Sequence, residues 1–353
     1  MGNKYYITKA FAELGHFLSQ FTTNRIEKKE NVLHNDLFFN GFKHQIKLAK
    51  EHNGWFTENN ILFALEGWSN LLTESNLKQW LSSYNLDEVE PKKVAIIMAG
   101  NIPLVGFHDF LSVLITGHKV LVKQSSNDKH LLPFLAKYLE YVSPELKGKI
   151  TFTEDKLQNF EAVIATGSNN TARYFEFYFK DKPSIIRQNR NSIAVLTGEE
   201  TEDQLNALSE DIFRYYGLGC RNVSKLFVPK DYNFDGFFNA IYKWHPIIEE
   251  AKYANNYDYN KAVYLMSEFD MLENGFLMIK EDQSYASPIA TVFYEYYDSL
   301  EQLQKKLTAD EDLIQCVVSK GLTENDVDFG MTQKPQLWDY ADGINTIEFL
   351  LKI

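Results

Sequence analysis

Residues 1 to about 90 carry apolar positions at helical spacing. Phe11, Leu14, Leu18 and Phe21 form one stripe, and Ile61, Phe63, Leu65, Trp68, Leu71 and Leu72 form part of another. The spacing predicts helices. The polar stretch Asn85-Leu86-Asp87-Glu88-Val89-Glu90-Pro91 ends that pattern. From Pro91 the rhythm changes. The unbroken apolar run at 94–98 has the length of a buried strand, and Lys119-Val120-Leu121-Val122 and Ala162-Val163-Ile164-Ala165 read as two more. Helical stripes at 104–116, 129–141 and 170–179 follow them in turn. Regular alternation of strand and helix predicts a parallel sheet covered on both faces. Such sheets gather ligands at the carboxyl ends of their strands.

A second alternating stretch follows. Strands are predicted at 192–196, 225–228, 276–279, 291–293 and 313–318. Helices are predicted at 202–215, at 234–242 and from Asp298 onward, and 346–351 reads as a terminal strand. These patterns divide the chain into 1–195, 196–335 and a tail, 336–353. No internal repeat or low-complexity tract interrupts them.

At 353 residues the chain is long enough for more than one core. Aromatic residues reach 14%, which suits deep packing or an apolar pocket without choosing between them. The net charge of −12 opposes binding to nucleic acid or anionic membrane. No apolar run approaches the length of a membrane span. The start, Met1-Gly2-Asn3-Lys4-Tyr5-Tyr6, has no signal-peptide core, and Tyr6 breaks the myristoylation pattern. Two distant cysteines exclude a disulfide framework and structural zinc, and fit a reducing cytoplasm.

One of those cysteines is Cys220, in Tyr216-Gly217-Leu218-Gly219-Cys220-Arg221-Asn222. A glycine turn between helix and strand leaves a sulfur reachable, as a nucleophile requires. An inert buried thiol is the alternative. Cys316 lies within an apolar strand run and is expected in the core. His108 and His118 are read as ordinary polar surface residues. The aromatic run Phe293-Tyr294-Glu295-Tyr296-Tyr297 is read as packing.

Four local signals occur in order: Gly100-Asn101-Ile102-Pro103-Leu104, Val122-Lys123-Gln124-Ser125-Ser126, Ala165-Thr166-Gly167-Ser168, and the turn at Cys220. Each follows a predicted strand or helix where a doubly wound sheet collects ligand groups. With the tail, Phe329-Gly330 through Gln333, Pro335, Asp339-Tyr340-Ala341-Asp342-Gly343 and Thr346, this order resembles the LuxC-type fatty acyl-CoA reductase family, within the aldehyde dehydrogenase superfamily. The resemblance runs from about Pro91 to the C-terminus.

It implies an α/β fold with a doubly wound, Rossmann-type cofactor domain and a second α/β catalytic domain. Region 1–195 becomes the helical N-terminus and the NADP(H)-binding domain, 196–335 the catalytic cysteine domain, and 336–353 a strand that could pair in an oligomer. It implies that Cys220 is the nucleophile. It also gives the Asn101 amide and the Cys220 N–H the role of stabilising the oxyanion at the reacting carbonyl. Lys123, with Ser125 and Ser126, corresponds to the segment at the adenine ribose. Ser126 stands where relatives preferring NAD carry a glutamate. A hydroxyl there removes repulsion toward a 2′-phosphate, so NADPH is the expected cofactor. Thr166, Gly167 and Ser168 correspond to the turn beside the pyrophosphate.

Two departures matter. Aldehyde-oxidising relatives carry a glutamate that activates water, but Arg187-Gln188-Asn189-Arg190-Asn191-Ser192 contains no carboxylate. Water attack on an acyl-enzyme should then be slow. A second family glutamate, which holds the nicotinamide ribose, is missing from Ser284-Tyr285-Ala286-Ser287-Pro288, and Glu281 is out of register. The expected activity is NADPH-dependent reduction of an acyl-CoA or acyl-carrier thioester to an aldehyde, in a homo-oligomer. An acyltransferase without a redox step, or a non-catalytic subunit binding an acyl carrier or a partner, are the rival readings.

Overall fold

The computed structural model describes residues 2–86, 89–323 and 326–353. Met1, and Asp87 and Glu88 within the break expected at 85–91, lie outside the described residues. The chain forms two units, Met1–Gln188 with Gln336–Ile353, and Asn189–Pro335.

The first unit opens with helices α1 (Gly2–Leu18), α2 (Asn35–His52), α3 (Glu58–Leu71) and α4 (Glu74–Leu81). Thr57 and Thr73 start α3 and α4, each hydroxyl accepting an N–H of the first turn. Then come β1 (Lys93–Ile97), α5 (Phe107–Ile115), β2 (Lys119–Lys123), α6 (Leu131–Val142), β3 (Ile150–Phe152), β4 (Ala162–Thr166), α7 (Asn169–Phe179) and β5 (Ser184–Arg187). The sheet order is β3-β2-β1-β4-β5, parallel throughout. The chain steps outward from β1 to β3 and then returns across β1 to lay down β4. The order therefore reverses between β1 and β4, which opens a crevice at their carboxyl ends. Side chains alternate along the strands. Val94, Ile96, Val120, Val122 and Ile164 join the core containing α1, α5 and α6, and Ala95, Val163 and Ala165 join Phe160 and, from α7, Phe175 and Phe179.

The second unit contains β6 (Asn191–Val195), α8 (Glu202–Phe213), β7 (Val223–Pro229), α9 (Asp235–Ile241), α10 (Ala251–Met266), β8 (Met271–Glu273), β9 (Met278–Glu281), β10 (Thr291–Tyr297), α11 (Leu300–Ala309) and β11 (Ile314–Val318). Its sheet runs β11-β6-β7-β10-β9-β8, with only β8 antiparallel to its neighbour. β6 pairs with β7 and β11, which ties it to this unit. Cys316 is buried on β11, and Phe293 is buried on β10.

The periodicity missed α10 because its buried face is written in tyrosine and asparagine. Tyr253, Tyr257, Asn260 and Tyr264 lie along one side of it. The Tyr253 hydroxyl donates to the Phe276 carbonyl at 2.9 Å, and Asn260 donates to the Ile289 carbonyl at 2.9 Å. β3 and β5 also escaped, being edge strands with only two apolar isoleucine or phenylalanine positions each.

The terminal strand expected at 346–351 is a helix, α12 (Thr346–Lys352). Asn345 caps it by accepting the Glu348 N–H at 3.1 Å, and Thr346, Ile347 and Leu350 form its buried face against α5. Their spacing is helical, so this segment is not the strand expected to pair with another subunit. His108 and His118 also depart from the surface role expected. His118 is fully buried; its Nδ1 accepts the Lys92 N–H at 3.0 Å, so Nε2 carries the proton donated to the Leu350 carbonyl at 2.9 Å. His108 lies 2.8 Å from the Leu337 carbonyl, among Trp68, Trp80 and Tyr340, and burial lowers its pKa. Both histidines pin the C-terminal segment to the first unit.

Candidate active site

In the first unit the segments singled out in the sequence sit at the carboxyl edge of the sheet. Asn101 follows β1, Lys123 ends β2, and Thr166 ends β4. Asn101 is exposed. Its loop is tightly tied to the one after β2. A side chain on Gly100 would reach within 2.5 Å of the Ser125 hydroxyl, so only glycine fits. Leu104 is held in the left-handed region, φ 57°, and its N–H donates to Asp128 Oδ2 at 2.8 Å. The other Asp128 oxygen is buried with no hydrogen-bond partner among the described residues. Burial raises the Asp128 carboxyl to about 6.

The predicted cofactor residues divide by what their atoms already do. Lys123 reaches the Asp155 carbonyl at 3.0 Å, and its ammonium carries two further donors. Ser125 accepts the Asn127 N–H at 3.2 Å and packs on Gly100, so it shapes the loop. Ser126 is exposed, and its carbonyl accepts from His52 Nε2 at 2.7 Å. Ser168 caps α7, accepting the Thr171 N–H at 3.3 Å. A side chain on Gly167 would meet Thr171 and Phe175 at 3.0 to 3.1 Å, so this glycine lets α7 close onto the strand end. The first turn of α7 thus faces the carboxyl end of β4 with a helix N-terminus, which suits a phosphate. A dinucleotide fits this donor set: a lysine ammonium, a serine hydroxyl and a helix N-terminus at a reversal of strand order.

Arg187, in the stretch where a water-activating glutamate was sought, ends β5. Its guanidinium forms a buried ion pair with Asp109 at 2.7 Å and donates to the Ala341 carbonyl and the Thr346 hydroxyl. Gln188 bonds Glu176, and Arg190 bonds the carbonyls of Glu311 and Ile314.

In the second unit Cys220 is exposed and not in a disulfide. α8 begins with a capping box, Thr201 with Gln204, and ends at Phe213. The chain then turns sharply: Tyr215, Tyr216 and Gly217 all have positive φ, 55°, 60° and 75°. Left-handed tyrosines are disfavoured by about 1 kcal/mol each, so other contacts hold this turn. Asn222 supplies many of them. It is buried, its Oδ1 accepts the Gly219 N–H at 2.8 Å, and its Nδ2 lies 3.0, 3.3 and 2.8 Å from the carbonyls of Asp211, Ile212 and Arg214. Its own N–H donates to the Gly219 carbonyl at 3.0 Å. Ser192 on β6 donates to the Cys220 carbonyl at 3.0 Å. One cysteine is thus presented to solvent on a backbone fixed from both sides.

The loop at 284–288 is similarly fixed. Ser224 donates to the Tyr285 carbonyl at 2.7 Å, Lys225 to the Gln283 carbonyl at 2.8 Å, and Ser287 to the Thr291 carbonyl at 2.7 Å.

A family model for acyl-CoA reductase (LuxC) matches residues 41–236, more than half of the chain. The chain belongs to the LuxC acyl-CoA reductase family. It is an oxidoreductase acting on acyl or aldehyde groups. The matched segment of this LuxC-family chain contains Asn101, Lys123, Ser126, Gly167 and Cys220. Among curated proteins, none matches it in sequence. Solved structures of aldehyde dehydrogenases share its fold. Aldehyde dehydrogenase 21 of Physcomitrella patens, solved with succinate, gives a TM-score of 0.62 at 11% identity, over 87% of this chain and 71% of that one. An aldehyde dehydrogenase of Bacillus cereus in complex with NAD+ gives 0.60 at 14% identity, over 87% and 69%. An NAD-dependent benzaldehyde dehydrogenase of Corynebacterium glutamicum gives 0.60 at 11% identity, over 91% and 79%.

Ser192, Asn222, Asp211 and His52 were not found in the sequence. Asp211 had a signal: an acid on the face of α8 that also carries Leu205, Leu208 and Ile212. His52 had none, since it meets Ser126 across 74 positions. Among the described residues no helix is long and apolar enough to cross a membrane, and no cluster of potential ligands could hold a metal.

Proposed function

We propose that this LuxC-family protein reduces an acyl-CoA thioester to an aldehyde through an acyl-Cys220 intermediate.

 The aromatic content of the sequence suits a fatty acyl chain on that thioester. The observation that carries the reading is an exposed cysteine on a fixed turn, inside the segment matched by the acyl-CoA reductase family.

The chemistry follows from the residue types. The Cys220 thiolate attacks the thioester carbonyl, forming a carbon–sulfur bond and a tetrahedral oxyanion. Following the family resemblance, we assign the Asn101 amide and the Cys220 N–H the role of donors to that oxyanion. Its collapse breaks the bond to the carrier sulfur, which leaves as a thiolate and takes up a proton. The acyl group is then held on Cys220. The acyl carbon on Cys220 would accept a hydride, which NADPH would supply when bound, and collapse of the resulting tetrahedral oxyanion breaks the carbon–sulfur bond, releasing the aldehyde and the Cys220 thiolate. Lys123 and Ser126 would hold the adenine ribose, and the N-terminus of α7 the pyrophosphate. Residues 187–192 offer no carboxylate to activate water, which favours reduction over hydrolysis. A thiol nucleophile suits a reducing cytoplasm.

The test is to mix the protein with an acyl-CoA in the absence of NADPH and weigh it. A mass increment of one acyl group on Cys220 supports the reading. No increment on a folded protein contradicts it.

A further inference from the structure

The turn bearing Cys220 is closed from behind by residues that no step of the proposed chemistry uses. Arg221, next to the cysteine, donates from Nε to the Thr332 carbonyl at 2.5 Å. Thr332 is fully buried, and both its N–H, at 2.9 Å, and its hydroxyl, at 2.8 Å, donate to Asp211 Oδ1. The other Asp211 oxygen accepts the Gly330 N–H at 2.6 Å. The Asp211 carbonyl then accepts from Asn222, two residues beyond Cys220. The links form a ring: Cys220 turn, Arg221, Thr332, Asp211, Asn222, and back to the turn. Gly330 is demanded by it. The backbone there has φ +80°, and a side chain would come within 3.0 Å of Ala207 on α8.

We propose that Asp211, Thr332 and Arg221 are positioning residues for Cys220, and that the segment 330–332 is the brace of the nucleophile turn. This rests on reading Cys220 as the nucleophile. A buried aspartate accepting three hydrogen bonds is a costly feature to place in a helix, and here all three come from one distant segment. The Gly219 carbonyl is engaged by Asn222, a member of the ring, and the Cys220 carbonyl by Ser192 on β6, outside it. They are then not available to swing toward the sulfur, where their dipoles would oppose a thiolate. With the ring open, the left-handed turn at 215–217 loses its support.

The experiment measures iodoacetamide alkylation of Cys220 in the full chain, without acyl-CoA or cofactor, by mass, with Cys220→Ala identifying the site. Thr332→Val removes the hydroxyl bond to Asp211, Thr332→Ser restores it, and Arg221→Met removes the link from the turn. Unfolding is followed beside each. The account expects alkylation about tenfold slower in Thr332→Val and Arg221→Met, with most of the rate recovered in Thr332→Ser. Folded Thr332→Val and Arg221→Met proteins alkylated at the parent rate would overturn it. So would a Thr332→Ser protein as slow as Thr332→Val. If Thr332→Val does not fold, Arg221→Met decides alone. Because no substrate is present, this result is independent of whether acyl-CoA is reduced. A Cys220→Ala enzyme that still reduced acyl-CoA would sink the functional reading and leave the alkylation comparison standing.

Discussion

The hydroxyl of Ser192 lies 3.0 Å from the carbonyl oxygen of Cys220 and donates to it. Ser192 is fully buried on β6, so the strand beside β7 holds the backbone of the proposed nucleophile. Ser192→Ala should cost about 1 kcal/mol of stability, the net worth of one hydrogen bond. It should also slow acylation of Cys220 several-fold. Stopped-flow acylation beside denaturant unfolding checks both. A stability loss with unchanged acylation would mean the bond serves the fold alone.

Asp128 predicts a pH dependence. Its carboxyl is raised from the ordinary 3.8 to about 6, chiefly by burial. A group whose folded pKa is raised stabilises the fold at low pH, and that contribution is lost as pH rises through the window from 3.8 to about 6. The penalty above that window is roughly 3 kcal/mol. Asp128→Asn removes the charge and keeps an oxygen for the Leu104 N–H. It should be more stable than the parent at neutral pH, with the gain fading as pH falls to about 4. Unfolding at several pH values reads this out, and an equal difference at every pH would contradict it.

The ion pair of Arg187 and Asp109 joins β5 to α5 with both side chains buried. Arg187→Met leaves the aspartate alone and should cost about 3–5 kcal/mol. Adding Asp109→Asn should return much of that loss, since the uncompensated charge is then gone. Additive losses in the double variant would show that the pairing is not the source of the cost.

Much of this was legible in the sequence. The apolar stretches at 94–98, 120–122 and 162–165 became the three central strands, because strand centres buried on both faces carry apolar side chains on each. Cys220 stood out because Gly217 and Gly219 precede it. What escaped was written in other letters. The tyrosines of α10 bury their rings and still satisfy their hydroxyls, as Tyr253 does on the Phe276 carbonyl. The terminal strand expected at 346–351 gave way to a capped helix because Ile347 and Leu350 share one helical face. Asn222 carried no signal of its own, since nothing local says that its amide reaches back to the end of α8.

Ser126 predicts cofactor choice. Ser126→Glu places a carboxylate beside the expected 2′-phosphate, near a backbone carbonyl already held by His52. The ratio of kcat/KM for NADPH over NADH should fall by about tenfold or more, since a like charge beside the 2′-phosphate repels it. Steady-state kinetics with both cofactors checks it. An unchanged ratio would place the 2′-phosphate elsewhere.

The central claim is tested most directly by NADPH oxidation with a panel of acyl-CoAs, parent beside Cys220→Ala. The account predicts consumption of NADPH that requires an acyl-CoA, yields the aldehyde and disappears in Cys220→Ala. Consumption that persists in a folded Cys220→Ala protein, or acyl transfer to Cys220 with no oxidation of NADPH, would contradict it.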